Sequence, residues 1–495
     1  MRDNGRTGGA ALEGAFVPLG ALDRERPARR APGRGAPRVA LIPLGCAKNL
    51  VDSEIMLGLL AEAGFRVTGE PRRADVVIVN TCAFIDEAKQ ESIDTILAVA
   101  DGRPVIVAGC LAQRYPDQLL AELPEIAAVV GTGDFAGIVE VARRVLDGER
   151  VRAVGHAAAR YERVLPRRRI EAGPYAYLKI AEGCDHDCRF CAIPSFRGRF
   201  RSRPLEAILE EGRLLAEGGA RELLLISQDT TYWGRDLGPG GGDLGQLLRA
   251  VSEAALPAGA RWLRCLYLYP YLLQDRMLEA WAEVPGALPY FDMPLQHGSD
   301  VMLAAMARPD RQRSIVALVE RIRRRLPGAV LRTSFIVGYP GEREEHFAEL
   351  LGLLREVGFD HAGFFVYSAE DGTPAAELPD PVPEDLRHER YHRAMQVQAE
   401  VAAERNRDRV GALLPAIAER PLAGSPGYWE GRWWGQAPDV DGGLVIRASG
   451  LRGGDIVPVR IEGVDGFDLY GRTAEAEQVP GEAPRRPVRR RVRAG

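Results

Sequence analysis

Gly183-Cys184-Asp185-His186-Asp187-Cys188-Arg189-Phe190-Cys191 sets three cysteines at CxxxCxxC spacing, with an aromatic before the last and no fourth cysteine nearby. Three thiolates on one short loop can hold three irons of a 4Fe–4S cluster and leave the fourth iron without a protein ligand. An open metal position is what a catalytic site keeps and a structural site closes. Such an iron can chelate the amino and carboxylate groups of S-adenosylmethionine, and an electron from the cluster can then break its carbon–sulfur bond. A structural zinc loop is the alternative reading. Zinc takes four ligands, commonly as paired CxxC units, and His186 stands inside the loop rather than at the usual separation.

The loop directly follows an apolar run at 177–181, the first of six that read as strands. The others are 222–227, 262–269, 290–293, 330–337 and 362–367. Segments with helical apolar spacing follow them at about 205–216, 244–254, 273–282, 312–326, 344–357 and 384–405. Six strand–helix units predict a parallel barrel left open, since a closed one needs eight. The cysteine loop then lies at the face where barrel chemistry sits. Two stretches end strands on that face. Phe335-Ile336-Val337-Gly338-Tyr339-Pro340-Gly341-Glu342 has two glycines around a proline, letting backbone approach a flat ligand such as adenine. Ser227-Gln228-Asp229-Thr230 offers polar groups to a substrate or the cofactor. The candidate cofactor contacts are therefore Phe190, Ser227, Gln228, Val337, Gly338 and Gly341. Cys265, within an apolar strand, reads as a packed core residue.

Upstream, strands at 39–44, 76–80, 105–108 and 127–130 alternate with helical segments at 50–63, 84–98 and 113–122. This predicts an open parallel α/β sheet. Cys46 follows its first strand, Cys82 the second and Cys110 the third. Ligands of open α/β sheets bind at the carboxyl ends of the strands, so three cysteines distant in sequence converge on one edge. Three thiolates without a fourth again suit a cluster with an open iron. Each cysteine alone could be an ordinary buried hydrophobe; three at successive strand–loop junctions argue for the cluster.

From about 410 to 480 the pattern changes to short strands at 413–417, 441–446, 456–461 and 467–473 among glycine-rich turns, predicting a small all-β barrel. Between Gly411 and Pro480 six arginines face ten acids. A barrel gripping a phosphate backbone would carry the opposite sign, so a basic protein partner fits better.

The 495 residues imply two to four domains, and 46% hydrophobic with 27% charged residues describes a globular chain. Seven cysteines, odd in number and partly clustered, suit a reducing compartment and metal binding rather than a disulfide scaffold. No apolar run approaches the roughly 20 residues of a membrane helix, so no membrane is expected and the location is cytoplasmic. Both ends are basic and lack apolar periodicity, which predicts disorder. Lysine occurs three times only: Lys48, Lys89 and Lys179.

These residues carry a family resemblance. The chain from about Arg38 to Ala474 resembles the radical-SAM methylthiotransferases of the RimO type, through residues 44–54, 80–85, 194–198 and 228–230, and through Tyr367-Ser368 followed by Asp371-Gly372-Thr373-Pro374. Ala47, where the family commonly has proline, is a small departure. The resemblance implies an α/β protein: a basic extension (1–37), an N-terminal cluster domain (38–148), a linker (149–172), a radical-SAM core of partial (β/α)6 type (173–404), a TRAM barrel (405–474) and an arginine-rich tail (475–495). It implies a monomer with two 4Fe–4S clusters, one on Cys184, Cys188 and Cys191 and an auxiliary one on Cys46, Cys82 and Cys110. S-adenosylmethionine then serves as radical source and methyl donor. No side chain takes the role of acid or base, because the clusters carry the chemistry. The implied reaction adds sulfur and a methyl group at the β-carbon of an aspartate in ribosomal protein S-twelve, on or off the small subunit. An electron donor such as flavodoxin or ferredoxin and a sulfur donor are implied partners. The alternative is a relative that methylthiolates a modified adenosine of tRNA; a non-catalytic RNA-binding protein with structural metal sites is more distant.

Overall fold

The computed structural model describes residues 35–157, 163–170 and 173–474. Most of the expected basic extension and all of the arginine-rich tail lie outside the described residues.

The N-terminal domain runs β1 (Arg38–Pro43), α1 (Ala47–Glu62), β2 (Arg66–Val67), β3 (Val76–Thr81), α2 (Asp86–Val99), β4 (Val105–Gly109), α3 (Cys110–Arg114), α4 (Pro116–Glu122), β5 (Ile126–Val130), α5 (Ile138–Leu146) and β6 (Val151–Ala153). All six strands are parallel, in the order β2-β1-β3-β4-β5-β6. The central strands are apolar on both faces because helices cover both sides of the sheet. Register decides the site: Pro43 pairs with Asn80, and Thr81 with Gly109. The strands β1, β3 and β4 therefore end level, and the residues that follow them emerge along one edge.

Two expectations need correction. The helix expected over 113–122 is split into α3 and α4, because Pro116 lacks the N–H to continue a helix and instead opens the second one. The expected linker is not free chain. Its start forms β6 beside β5, and Arg167 is buried, paired with Glu54 of α1 at 2.6 Å and Glu211 at 2.8 Å.

The central domain contains β7 (Tyr175–Lys179), β8 (Ala181–Glu182), α6 (Ile193–Arg197), β9 (Arg201–Ser202), α7 (Leu205–Glu217), β10 (Glu222–Ile226), α8 (Leu244–Ala255), β11 (Trp262–Cys265), α9 (Asp275–Glu283), β12 (Tyr290–Gln296), α10 (Asp300–Ala305), α11 (Gln312–Arg325), β13 (Val330–Val337), α12 (Glu344–Val357), β14 (His361–Val366) and α13 (Glu384–Arg407). The six expected strands form two parallel triplets, β7-β10-β11 and β12-β13-β14. They meet at Leu288 N donating to Leu263 O (2.9 Å) and Leu268 N to Asp292 O (2.8 Å). This is the open barrel. Alternation divides its strands: Leu223 and Leu225 pack toward Ile208 and Leu247 of the outer helices, whereas Leu224 and Ile226 share a core with Val51 and Ile55 of α1 and Trp433 of the C-terminal barrel. The concave side of the sheet is thus filled by its neighbours.

That C-terminal barrel is closed, β15 (Leu413–Pro421), β16 (Tyr428–Trp433), β17 (Leu444–Arg447), β18 (Ile456–Asp465) and β19 (Asp468–Arg472), in the order β15-β16-β17-β19-β18. The strand β16 escapes sequence pattern because Glu430, Gly431 and Arg432 interrupt its apolar run. Arg432 locks it to the central domain. Glu222 of β10, fully buried, accepts from Arg264 of β11 and from Arg432, each at 2.7 Å. Burial pushes the Glu222 carboxyl up, but the two guanidiniums outweigh it and hold it below the usual range. Glu222→Ala leaves Arg264 buried without a carboxylate, while Arg432 keeps Glu419 at 2.6 Å, and is expected to cost about 3 kcal/mol. The depressed carboxyl contributes stability above its unfolded value of about 4.3 and loses it as pH falls through the lower folded value. Urea midpoints should therefore drop less below pH ~4 in Glu222→Ala than in the parent; parallel curves would refute the assignment.

Candidate cluster and cofactor site

Cys46 caps the N-terminus of α1, Cys82 follows β3, and Cys110 begins α3 after β4. Two glycines let the three loops touch. A Cβ on Gly45 (φ +82°) would stand 2.8 Å from Cys82 Cβ and 3.1 Å from its Sγ. One on Gly109 (φ +92°) would stand 2.7 Å from Thr81 O. Asn49 ties the loops: its Nδ2 donates to Leu44 O (3.1 Å) and Thr81 O (2.8 Å), and its Oδ1 faces Cys110 Sγ at 3.7 Å. Burial raises the Cys82 thiol well above its ordinary value, and its Cys110 and Cys46 neighbours raise it further. Burial likewise pushes Cys110 up to about 11, against the pull of Arg197. Thiols this close resist ionising together unless a cation takes the protons' place.

The second set follows β8. Cys184 N donates to Gly198 O at 3.1 Å and Cys191 N to Cys188 O at 3.1 Å, fixing the loop. Burial, with Cys188 adding, pushes Cys184 up to about 12 and Cys191 higher still. Arg308 points its Nη1 at Cys188 Sγ (3.7 Å) and lies 4.0 Å over the Tyr269 ring. His186 stacks on the same ring at 3.8 Å, with Nε2 2.6 Å from Asp229 Oδ2. All seven cysteines are free. Among the described residues no three of His, Cys, Asp and Glu are grouped as ligands of a single metal ion. Free thiols in threes, each set touched by an arginine, suit clusters that spread their ligands over separate irons.

A buried polar chain joins the sets. Arg197 of α6, six residues beyond Cys191, reaches back to Cys110 Sγ (3.3 Å), Asn49 Oδ1, Asp52 (3.0 Å) and Glu182 (3.2 Å). Lys179 pairs with Asp52 and, at 2.8 Å, with Glu182. Glu182 accepts from Gln228 Nε2 (2.7 Å), and Gln228 Oε1 accepts from Gly183 N (2.9 Å), next to Cys184.

The cofactor-contact candidates are distributed unevenly. Gln228 braces the cysteine loop. Phe190 packs with Ile336, Tyr339 and Tyr367 beside the loop. Ser227 is fully buried with Oγ 3.4 Å from Thr230 Oγ1, and the Val337 side chain lies in the outer core. Gly338 (φ +76°) does permit a close approach, but of the Arg387 side chain, 2.1 Å from where its Cβ would stand. At Gly341 (φ +79°) a Cβ would meet nothing within 4 Å, leaving that backbone open to a ligand. Sequence reasoning missed Asn49, Arg197, Tyr269 and Arg308. Asn49 and Arg197 left a signal, standing in the segments 44–54 and 194–198 that carry the family resemblance.

Comparison with known proteins matches residues 38–131 to uncharacterized protein family UPF0004, 178–354 to the radical SAM superfamily and 410–473 to the TRAM domain. The chain is 48% identical over 443 residues to the ribosomal protein uS12 methylthiotransferase RimO of Synechococcus sp. (strain JA-3-3Ab), covering 89% of this chain and 95% of that one. It is 45% identical to the protein of the same name from Symbiobacterium thermophilum, covering 93% and 96%. The radical S-adenosylmethionine methyltransferase TsrM from Kitasatospora setae shares the fold at a TM-score of 0.51 and 15% identity, over 74% of this chain and 89% of that one.

Proposed function

Because this chain belongs to the RimO family of radical-SAM methylthiotransferases, we propose that it adds a methylthio group to the β-carbon of an aspartate in ribosomal protein uS12. The carrying observation is the pair of three-cysteine sets joined by one buried chain through Arg197, Glu182 and Gln228. In this reading Cys184, Cys188 and Cys191 hold the 4Fe–4S cluster that binds S-adenosylmethionine, and Cys46, Cys82 and Cys110 hold an auxiliary one. Bound there, these groups supply a radical for an unactivated C–H bond, which no side-chain base can ionise, and the sulfur and methyl that replace the hydrogen.

The protein's own residues hold and orient. Arg308 offsets thiolate charge at Cys188, and Arg197 does so at Cys110. The Asp229–His186–Tyr269 stack fixes the wall beside the first set, and Gln228 fixes the loop that bears it. Ten acids against six arginines around the C-terminal barrel suit a basic ribosomal protein rather than tRNA. No helix among the described residues is long and apolar enough to cross a membrane; we place the enzyme in the cytoplasm as a monomer, with a flavodoxin or ferredoxin as electron donor and a separate sulfur donor.

Mass spectrometry of uS12 from cells with and without the gene tests the reading. An increment of about 46 Da on one aspartate, lost on deletion, is expected. An unchanged uS12, with a methylthio group missing from tRNA, would overturn it.

A further inference from the structure

We propose that Lys48 binds the side-chain carboxylate of the substrate aspartate. This rests on the substrate reading above and deepens it. Of the three lysines, Lys89 pairs with Asp86 (2.6 Å) and Glu370 (3.0 Å), and Lys179 with Asp52 and Glu182. Lys48, 7% exposed, lies between them in burial, yet no hydrogen bond or ion pair reaches it among the described residues. Its ammonium lies 3.2 Å from the centroid of the Tyr267 ring. A ring face attracts a cation but offers its three donors no acceptor, so the ammonium, which is not sealed from solvent, can take an anion.

The surroundings are prepared for that anion. Lys48 stands in the first turn of α1, two residues after Cys46, and that turn holds no acidic residue. Among the described residues no carboxylate pairs with Lys48, and the helix dipole adds to the positive field. Tyr267 is held at φ +59°, a strained conformation for a bulky residue, by Thr230 N donating to its carbonyl (3.0 Å) and its own N donating to Asp292 (3.0 Å). Two residues on is Tyr269, whose ring carries His186 and Arg308 beside Cys188. Lys48 and Tyr267 therefore meet between the elements that bear the two cysteine sets. The reacting β-carbon of an aspartate is one bond from its carboxylate, so fixing the carboxylate fixes the carbon.

Two carboxylates reach such a site, the substrate's and that of S-adenosylmethionine, and the test separates them. Reconstituted holoprotein, parent and Lys48→Met, is titrated with a peptide of the uS12 target loop bearing either the aspartate or asparagine, and separately with S-adenosylmethionine alone. The parent is expected to prefer the aspartate peptide by roughly tenfold or more. Lys48→Met should lose that preference with its iron content unchanged, and Lys48→Arg should regain part of it. In the double-mutant cycle the asparagine peptide then binds both proteins alike. Equal weakening of both peptides, a preference that survives in Lys48→Met, or weakened S-adenosylmethionine binding would each overturn the assignment. A parent that binds both peptides alike would overturn this site alone, and one that binds neither would overturn the substrate reading with it.

Discussion

Cys188→Ala is expected to abolish reductive cleavage of S-adenosylmethionine, whereas Cys110→Ala is expected to retain it and lose sulfur insertion. The asymmetry follows from which residues each thiol stands among. Cys188 shares its loop with Cys184 and Cys191 and faces Arg308, and no fourth thiol of the described chain is placed to substitute. Removing one of three ligands leaves a cluster with two, which a site with an already open iron does not tolerate. Cys110 sits on a different domain, braced by Asn49 and Arg197, and the Cys184–Cys191 loop has its own anchors at Gly198 and Gln228. Each single variant should keep about half of the iron, roughly four per chain instead of eight. The measurement is iron and sulfide content together with 5′-deoxyadenosine formed in the presence of dithionite. Full activity in Cys188→Ala, or loss of cleavage in Cys110→Ala, would mean that the two sets do not divide the chemistry as assigned.

The division into two sets is legible in the sequence because it rests on two strong signals. One is local spacing in the Cys184–Cys191 loop. The other is that the carboxyl ends of parallel strands share an edge, which gathers Cys46, Cys82 and Cys110 from 65 residues of sequence. The barrel strands were legible as apolar runs: β7, β10 and β11 are buried throughout, although β14 buries only Phe364. What stayed hidden depends on long-range charge. Glu222, Arg264 and Arg432 read as three unrelated polar residues until β10, β11 and β16 bring them together, and Arg432 is one of the residues that conceal β16. Arg167 looked like solvated linker because its partners Glu54 and Glu211 lie 113 and 44 residues away. The glycines at 338 and 341 illustrate the limit of a local rule. Both were expected to let backbone approach a flat ligand, but Gly338 accommodates Arg387 and, of the two, Gly341 faces open space.

Arg197 is where hidden charge meets the site, and its loss carries the second large effect. One guanidinium serves four acceptors, with Nη1 on Asp52 and Glu182 and Nη2 on Asn49 and Cys110. Burial pushes the Glu182 carboxyl up, and Arg197 with Lys179 more than reverses this. In Arg197→Ala, Lys179 alone faces both carboxylates, and a buried negative charge is left over. The cost expected is about 3–5 kcal/mol, of the order of breaking any buried ion pair. The Cys110 thiolate also loses its adjacent cation, which should lower the reduction potential of whatever cluster it ligates. Arg197→Lys should recover less than half, since one ammonium cannot fork across two pairs of acceptors. Denaturation midpoints and a redox titration in the Cys188→Ala background, where only the auxiliary cluster reports, measure the two effects separately. A stability loss without a change in potential would make Arg197 a purely structural clamp. A shift in potential restored by neither lysine nor added salt would tie the guanidinium to the cluster through its geometry, the same geometry that links Cys110 to the loop bearing Cys184.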